Sequence, residues 1–111
     1  MAYYMFQGRY SPESIRKMVE TPQDREAEAR KLVEAMGGKL HHMFFCFGRE
    51  DVVVLIEAPD DETMAGAIMA VGASGAMSGG ATTKLLTSQQ AQAAMKKAQA
   101  VGKSDYRPAN A

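Results

Sequence analysis

The period of the apolar positions changes several times along the chain, and each change marks an element. The densest apolar stretch is Leu40–Pro59, LHHMFFCFGREDVVVLIEAP. Within it, two runs rich in β-branched and aromatic residues, Leu40–Phe47 and Asp51–Ala58, flank Gly48-Arg49-Glu50, which predicts a β-hairpin. Val52 to Ile56 is apolar without alternation, so that strand needs cover on both faces and belongs at the centre of a sheet. Ala2–Tyr10 predicts a first strand. Its odd positions Tyr3, Met5, Gln7 and Arg9 are more polar than Tyr4, Phe6, Gly8 and Tyr10, which places the even set under helices.

Between these strands, Ile15, Met18, Val19, Ala29, Leu32, Val33 and Met36 recur at helical spacing. Ser11-Pro12 is a start signal, and Thr21-Pro22 interrupts the pattern because proline lacks the amide a helix interior requires. Two helices are expected, over about 12–20 and 22–36, with Thr21 capping the second and Gly37-Gly38 ending it. Asp60, Asp61 and Glu62 favour the start of a further helix over about 61–73, where Gly66, Gly72, Ala73 and Gly75 would allow close approach to the sheet. Gly79-Gly80 then opens a fourth strand, about 81–87. Thr87-x-x-Gln90 is a capping-box pattern for a last helix, about 88–101.

The resulting β-α-β-β-α-β order with a trailing helix is the ferredoxin-like α+β arrangement. A single domain over residues 1–102 and a flexible polar tail over 103–111 are expected. Helices cover only one face of such a sheet. The apolar third strand therefore calls for a second sheet on its open side, which predicts a homodimer or higher homo-oligomer.

Charge narrows the partners. Thirteen Lys and Arg balance thirteen Asp and Glu, so no basic surplus argues for nucleic acid. No apolar run reaches the roughly 18 residues that suggest a membrane partner, and the start lacks a signal-peptide layout. A lone cysteine, Cys46, precludes an internal disulfide and suits a reduced, cytoplasmic protein.

Gly37-Gly38-Lys39-Leu40, then Gly48-Arg49-Glu50-Asp51 leading into VVVLIEAPDDE, resembles the GYD-domain family of small bacterial proteins. The Tyr4–Tyr10 strand, the Ser-Pro helix start and Thr21-Pro22-x-x-Arg25 also fit, so the resemblance covers about residues 3–95. The signature triplet is altered here to Arg49-Glu50-Asp51. The resemblance implies a dimeric α+β barrel, in which two ferredoxin-like sheets close around a lumen. Relatives of that architecture include monooxygenases, isomerases, haem-handling enzymes and ligand-sensing regulators, so it implies a shape rather than one activity.

If neighbouring strand residues point to opposite faces, His41 and His42 cannot both serve one metal within the chain. With Met43, Phe45 and Phe47 facing helices, His42, Phe44 and Cys46 join Tyr3, Gln7 and Arg9 as candidates to line the lumen. His42 could act there as an acid, base or axial ligand, or simply be hydrogen-bonded at a strand start. Arg9 would suit an anionic or carbonyl ligand, or reach past the strand end into solvent. Cys46 and His42 stand four residues apart, roughly 13 Å along a strand, too far for a nucleophile and its base. Asp51 is placed to order the turn after Gly48.

The run from Gly75 to Gly80 has phosphate-loop spacing, but Ala81 stands where lysine is needed. No grouping of His, Cys and carboxylates has metal-ligand spacing. No cofactor is expected, haem being the one that the resemblance leaves in play. The expected function is binding of a small organic molecule in an apolar lumen. The alternatives are a monooxygenase- or isomerase-like enzyme using His42 with Gln7 and Arg9, or a purely structural oligomer.

Overall fold

Strand β1 (Ala2–Tyr10), helices α1 (Pro12–Glu20) and α2 (Arg25–Ala35), strands β2 (Lys39–Phe45) and β3 (Val52–Ala58), helix α3 (Asp61–Ala73), strand β4 (Met77–Leu85) and helix α4 (Ser88–Gly102) follow one another in a computed structural model that describes residues 1–111. The four strands form one antiparallel sheet in the order β2-β3-β1-β4. This is the ferredoxin-like topology, with the two strands of strongest apolar character at the centre.

The alternation in β1 and β3 sets the core. Tyr4 opposes Ile56, Phe6 opposes Val54 and Gly8 opposes Val52. Tyr4, Val52, Val54, Ile56 and Ala58 pack with Val33 of α2, Leu40 of β2 and Met64 of α3 into the fully buried cluster, with Phe6 partly buried against it. Burial of each such side chain stabilises the fold by about 1.5–3 kcal/mol. The helices begin where short polar side chains can take their free amides. Ser11 accepts from the Ser14 amide, Asp24 from Ala27, Asp60 from Thr63, and Thr87 shares a reciprocal capping box with Gln90. On the helix side, Asp61 accepts from the Tyr4 hydroxyl and pairs with Lys84 at 2.8 Å, which ties α3 to β1 and β4.

Four boundaries differ from expectation. The second helix starts at Arg25 rather than residue 22, because Asp24 takes the free Ala27 amide and is the cap that the chain uses. Thr21 closes α1 instead, through its amide to the Lys17 carbonyl, and Asp24 caps α2. The hairpin link is longer than Gly48-Arg49-Glu50 and runs from residue 46 to 51. The fourth strand begins at Met77, so Gly79 and Gly80 lie within it. Gly80 pairs with Gly8 under the Phe6 ring, and a Cβ on Gly80 would come 2.7 Å from the Gln7 carbonyl oxygen. Close approach of two backbones, not a turn, is what needs glycine there. Finally, a Cβ on Gly66 or Gly72 would meet nothing within 4 Å, so these glycines do not bring α3 closer to the sheet.

α4 buries none of its residues, and its Met95 and Val101 are 64% and 59% exposed. No helix is long and apolar enough to cross a membrane.

Candidate functional site

The face of the sheet away from the helices carries Tyr3, Met5, Gln7 and Arg9 from β1. Opposite them in register stand Glu57, Leu55 and Val53 of β3 and Leu85, Thr83 and Ala81 of β4. No element of the chain lies over this face. Val53 and Leu55 remain partly exposed, while their neighbours Val52, Val54 and Ile56 are buried on the other side. Phe44 of β2, opposite Val53, is 63% exposed.

The edge strand β2 does not alternate regularly. Leu40 pairs with Ile56 and His42 with Leu55, so the register slips by one residue at His41. Such a bulge puts two residues against one and breaks the alternation of faces. Its effect is to bring both histidines to the open face. His41 Nε2 lies 2.8 Å from Glu57 Oε1, and its ring stands 5.5 Å from that of Tyr3, centroid to centroid. His42 stacks on Phe44 at 5.9 Å with 13° between the rings. The opposed orientation that strict parity assigns to His41 and His42 is thus removed by one extra residue.

Polar groups gather at the two ends of this face. At one end, Tyr3, His41 and Glu57 form a half-buried group in which the carboxylate can orient the imidazole. At the other, Gln7, Cys46, Arg49, Glu50 and Ala81 line an open depression, and Arg9 Nη1 reaches Glu50 at 3.2 and 3.4 Å. The Cys46 thiol donates to the Glu50 carbonyl at 3.1 Å. Six residues separate Tyr3 from Arg9, roughly 20 Å along a strand, so the sequence-derived candidates do not converge within one chain. Between the ends lie Met5, Leu55, Val53, His42 and Phe44.

Electrostatics divides the two ends further. Arg9 already has a carboxylate partner, so an anion arriving here competes with the charge of Glu50. A neutral polar or carbonyl ligand faces no such competition. Asp51 is engaged in structure: its carboxylate accepts from the Tyr10 amide at 2.9 Å, and its own amide donates to the Gly8 carbonyl at 2.8 Å. The altered signature therefore straps the hairpin link to β1 through Asp51 and supplies the partner of Arg9 through Glu50. No three His, Cys, Asp or Glu side chains stand close enough to hold a metal ion.

His41 and Glu57 were not singled out by the sequence as a pair. Glu57 sits at the end of an apolar strand and looks like a boundary residue, and only the bulge in β2 aligns His41 with it. A polar residue near the end of an otherwise apolar strand, opposite Tyr3 of the first strand, is the one hint available.

An antiparallel four-stranded sheet covered by helices on one face and bare on the other defines a ferredoxin-like α+β protein. A model of the GYD domain matches residues 4–95, and the chain belongs to the GYD-domain family. Among solved structures, the crystal structure of MtbAldR is similar over 78% of this chain, with a TM-score of 0.58 and 14% identity. The match covers 53% of that protein's chain, about half its length, and at this identity the likeness is one of fold alone. A search of curated proteins finds no match.

Proposed function

We propose that the protein is a homodimer whose two open sheet faces meet and enclose a lumen for a small organic molecule. The bare apolar face carries this reading: Met5, Val53, Leu55 and Phe44 stay in contact with solvent, whereas Val52, Val54, Ile56 and Ala58 on the other side of the same sheet are buried under helices. A second copy of the same face removes that surface from water without any new element. Tyr3, Gln7, Arg9, His42, Phe44 and Cys46 line the lumen, with His41 and Glu57 beside Tyr3. Because Arg9 is paired with Glu50, the favoured ligand is a neutral molecule with an apolar body and a carbonyl or hydroxyl group.

Sedimentation of the wild type and of Val53→Lys tests the assembly. The expected result is a wild-type dimer and a folded Val53→Lys monomer with unchanged far-ultraviolet dichroism. A wild-type monomer across the micromolar range overturns the reading. An interface packed solid by side chains, with no room for a ligand, would leave a structural oligomer instead.

A second reading, an acid–base enzyme of the isomerase or monooxygenase type, is favoured by one observation. The His41–Glu57 pair has the arrangement in which a carboxylate orients a histidine for proton transfer, next to a tyrosine hydroxyl. In that case Glu57→Gln abolishes turnover of a substrate found by screening but leaves the dimer intact, and unchanged turnover removes it. A visible absorbance scan of the purified protein addresses haem, since a missing Soret band counts against a haem-handling role.

A further inference from the structure

The opposite side of the sheet holds a second concavity, which the lumen does not involve. Between α2 and the sheet lies a cavity of about 260 Å³ whose lining is almost wholly apolar, including Phe6, Leu32, Met43, Val54, Val71 and Met77. It continues past Tyr10, Arg25 and Ala76 into a polar depression of about 170 Å³ lined by Ser14, Lys17 and Gln23. Together the two reach the lower part of the roughly 300–1,000 Å³ typical of small-ligand sites. The cavity lies where Ala29 and Leu32 of α2 and Val71 of α3 stand over Phe6, Met43, Val52 and Val54 of the sheet without closing the space between them.

The polar mouth is cationic. Arg25 forms no ion pair: the carboxylates of the chain that are paired engage Arg9, Lys17, Arg30, Lys31, His41, Arg49 and Lys84. Its guanidinium donates to the neutral Gln23 Oε1 at 2.8 Å. Glu28, which also borders the cavity, is held by Lys31 at 3.0 Å. Tyr10 stands between the two compartments. Burial raises the pKa of its hydroxyl, with Arg25 beside it pulling the other way, so it remains a neutral donor at the junction. An apolar chamber that opens onto an unpaired guanidinium and a phenol donor is complementary to a molecule with an apolar tail and an anionic head.

We propose that this cavity is a binding site for an anionic amphiphile, a medium-chain carboxylate, with its tail among Phe6, Leu32, Met43 and Met77 and its carboxylate on Arg25 and Tyr10. The site is independent of the dimer and of the lumen, because its lining comes from the helix-covered side of the sheet, from α1, α2 and α3 and from the connections beside them.

Sodium decanoate and decylamine below their micellar concentrations, and 1-decanol below its solubility limit, serve as probes for calorimetric titration of the whole protein. Carbon-13 spectra of methyl-labelled methionines locate the ligand. Decanoate is expected to saturate one site per chain and to shift the Met43 and Met77 methyls, leaving Met5 on the open face unmoved. Arg25→Gln, a change at the first residue of α2, weakens decanoate about tenfold, the loss of one charge-assisted contact, and leaves decanol unaffected. Leu32→Trp fills the chamber and blocks both. If that variant does not fold, Met43→Phe gives the same reading from the neighbouring strand. Decylamine bound as tightly as decanoate, equal decanoate affinity in wild type and Arg25→Gln, shifts at Met5, or no saturable binding each overturns the proposal. Binding lost in Val53→Lys overturns it too, by moving the ligand to the lumen, whereas failure of the dimer with decanoate binding intact sinks only the lumen.

Discussion

The two faces of the sheet are built from the same strands and nearly the same residue types, yet they end in different states. On one face Val52, Val54, Ile56 and Ala58 are buried under helices. On the other, Val53 and Leu55, one residue along, stay partly exposed beside Met5 and Phe44. Hydrophobicity is therefore shared, and cover is what differs. An apolar strand asks for two partners, and this chain provides one of them. The polar groups follow the same division. The helix side uses Tyr4, Asp61 and Lys84 to fasten α3 to the sheet, while the open side holds Tyr3, His41, Glu57, Gln7 and Arg9 at the rim of unclaimed surface.

The contrast can be broken most strongly from the buried side. Met64→Ala, at a fully buried position, should cost about 2–5 kcal/mol in urea unfolding. Leu55→Ala should cost well under half of that in dilute protein, and more as concentration rises and the open face is covered. Equal costs at all concentrations would mean that the faces do not differ as described. A smaller effect, about 1–3 kcal/mol of overpacking, is expected for Gly80→Val. Its side chain would press on the Gln7 carbonyl at the seam that both faces share, and thermal unfolding reads the loss.

The smallest effect lies in the pH dependence of the helix-side fastening. The Tyr4 hydroxyl is pushed up from 10.0 to about 12, first by its hydrogen bond to Asp61 and then by burial. The stability this group contributes is thus fully present below pH 10 and fades as the pH rises through about 12. Asp61 is held below the usual carboxylate range, first by Lys84 and then by Tyr4. Its contribution is present above that range and fades as the pH falls below it. Asp61→Asn should flatten both limbs of a stability profile and lower the melting temperature modestly at neutral pH. A profile unchanged at both ends would remove this account of how α3 is tethered.

Much of the architecture was legible because local signals agreed with the global pattern. Ser11-Pro12, Asp60 and Thr87-x-x-Gln90 stand at real helix starts, and the parity of β1 separates Tyr4 and Phe6 from Tyr3 and Met5 as the sheet does. Where two signals competed, the reading slipped. Gly79-Gly80 resembles a turn, but the close pairing with β1 keeps it in a strand. Pro22 resembles a helix start, but Asp24 offers the better cap. The open-face cluster was legible only in part, because a bulge leaves no residue signature of its own. His41 reached Glu57 through an irregularity of register that composition does not encode. The cavity under α2 was less legible still, since a void is the absence of a contact and depends on how far apart two helices settle.

The strand order β2-β3-β1-β4 has one further consequence, for the time course of folding. β1 precedes both of its neighbours in the chain, and β3 and β4 arrive only after long intervening segments. The helix starts and the β2–β3 hairpin can form early from local contacts. The central strand must wait for distant partners, and closing those long loops is the slow part of reaching the native topology. Until β3 and β4 arrive, β1 is an apolar strand with both edges free, the stage at which a newly made chain is most exposed to pairing with the wrong neighbour.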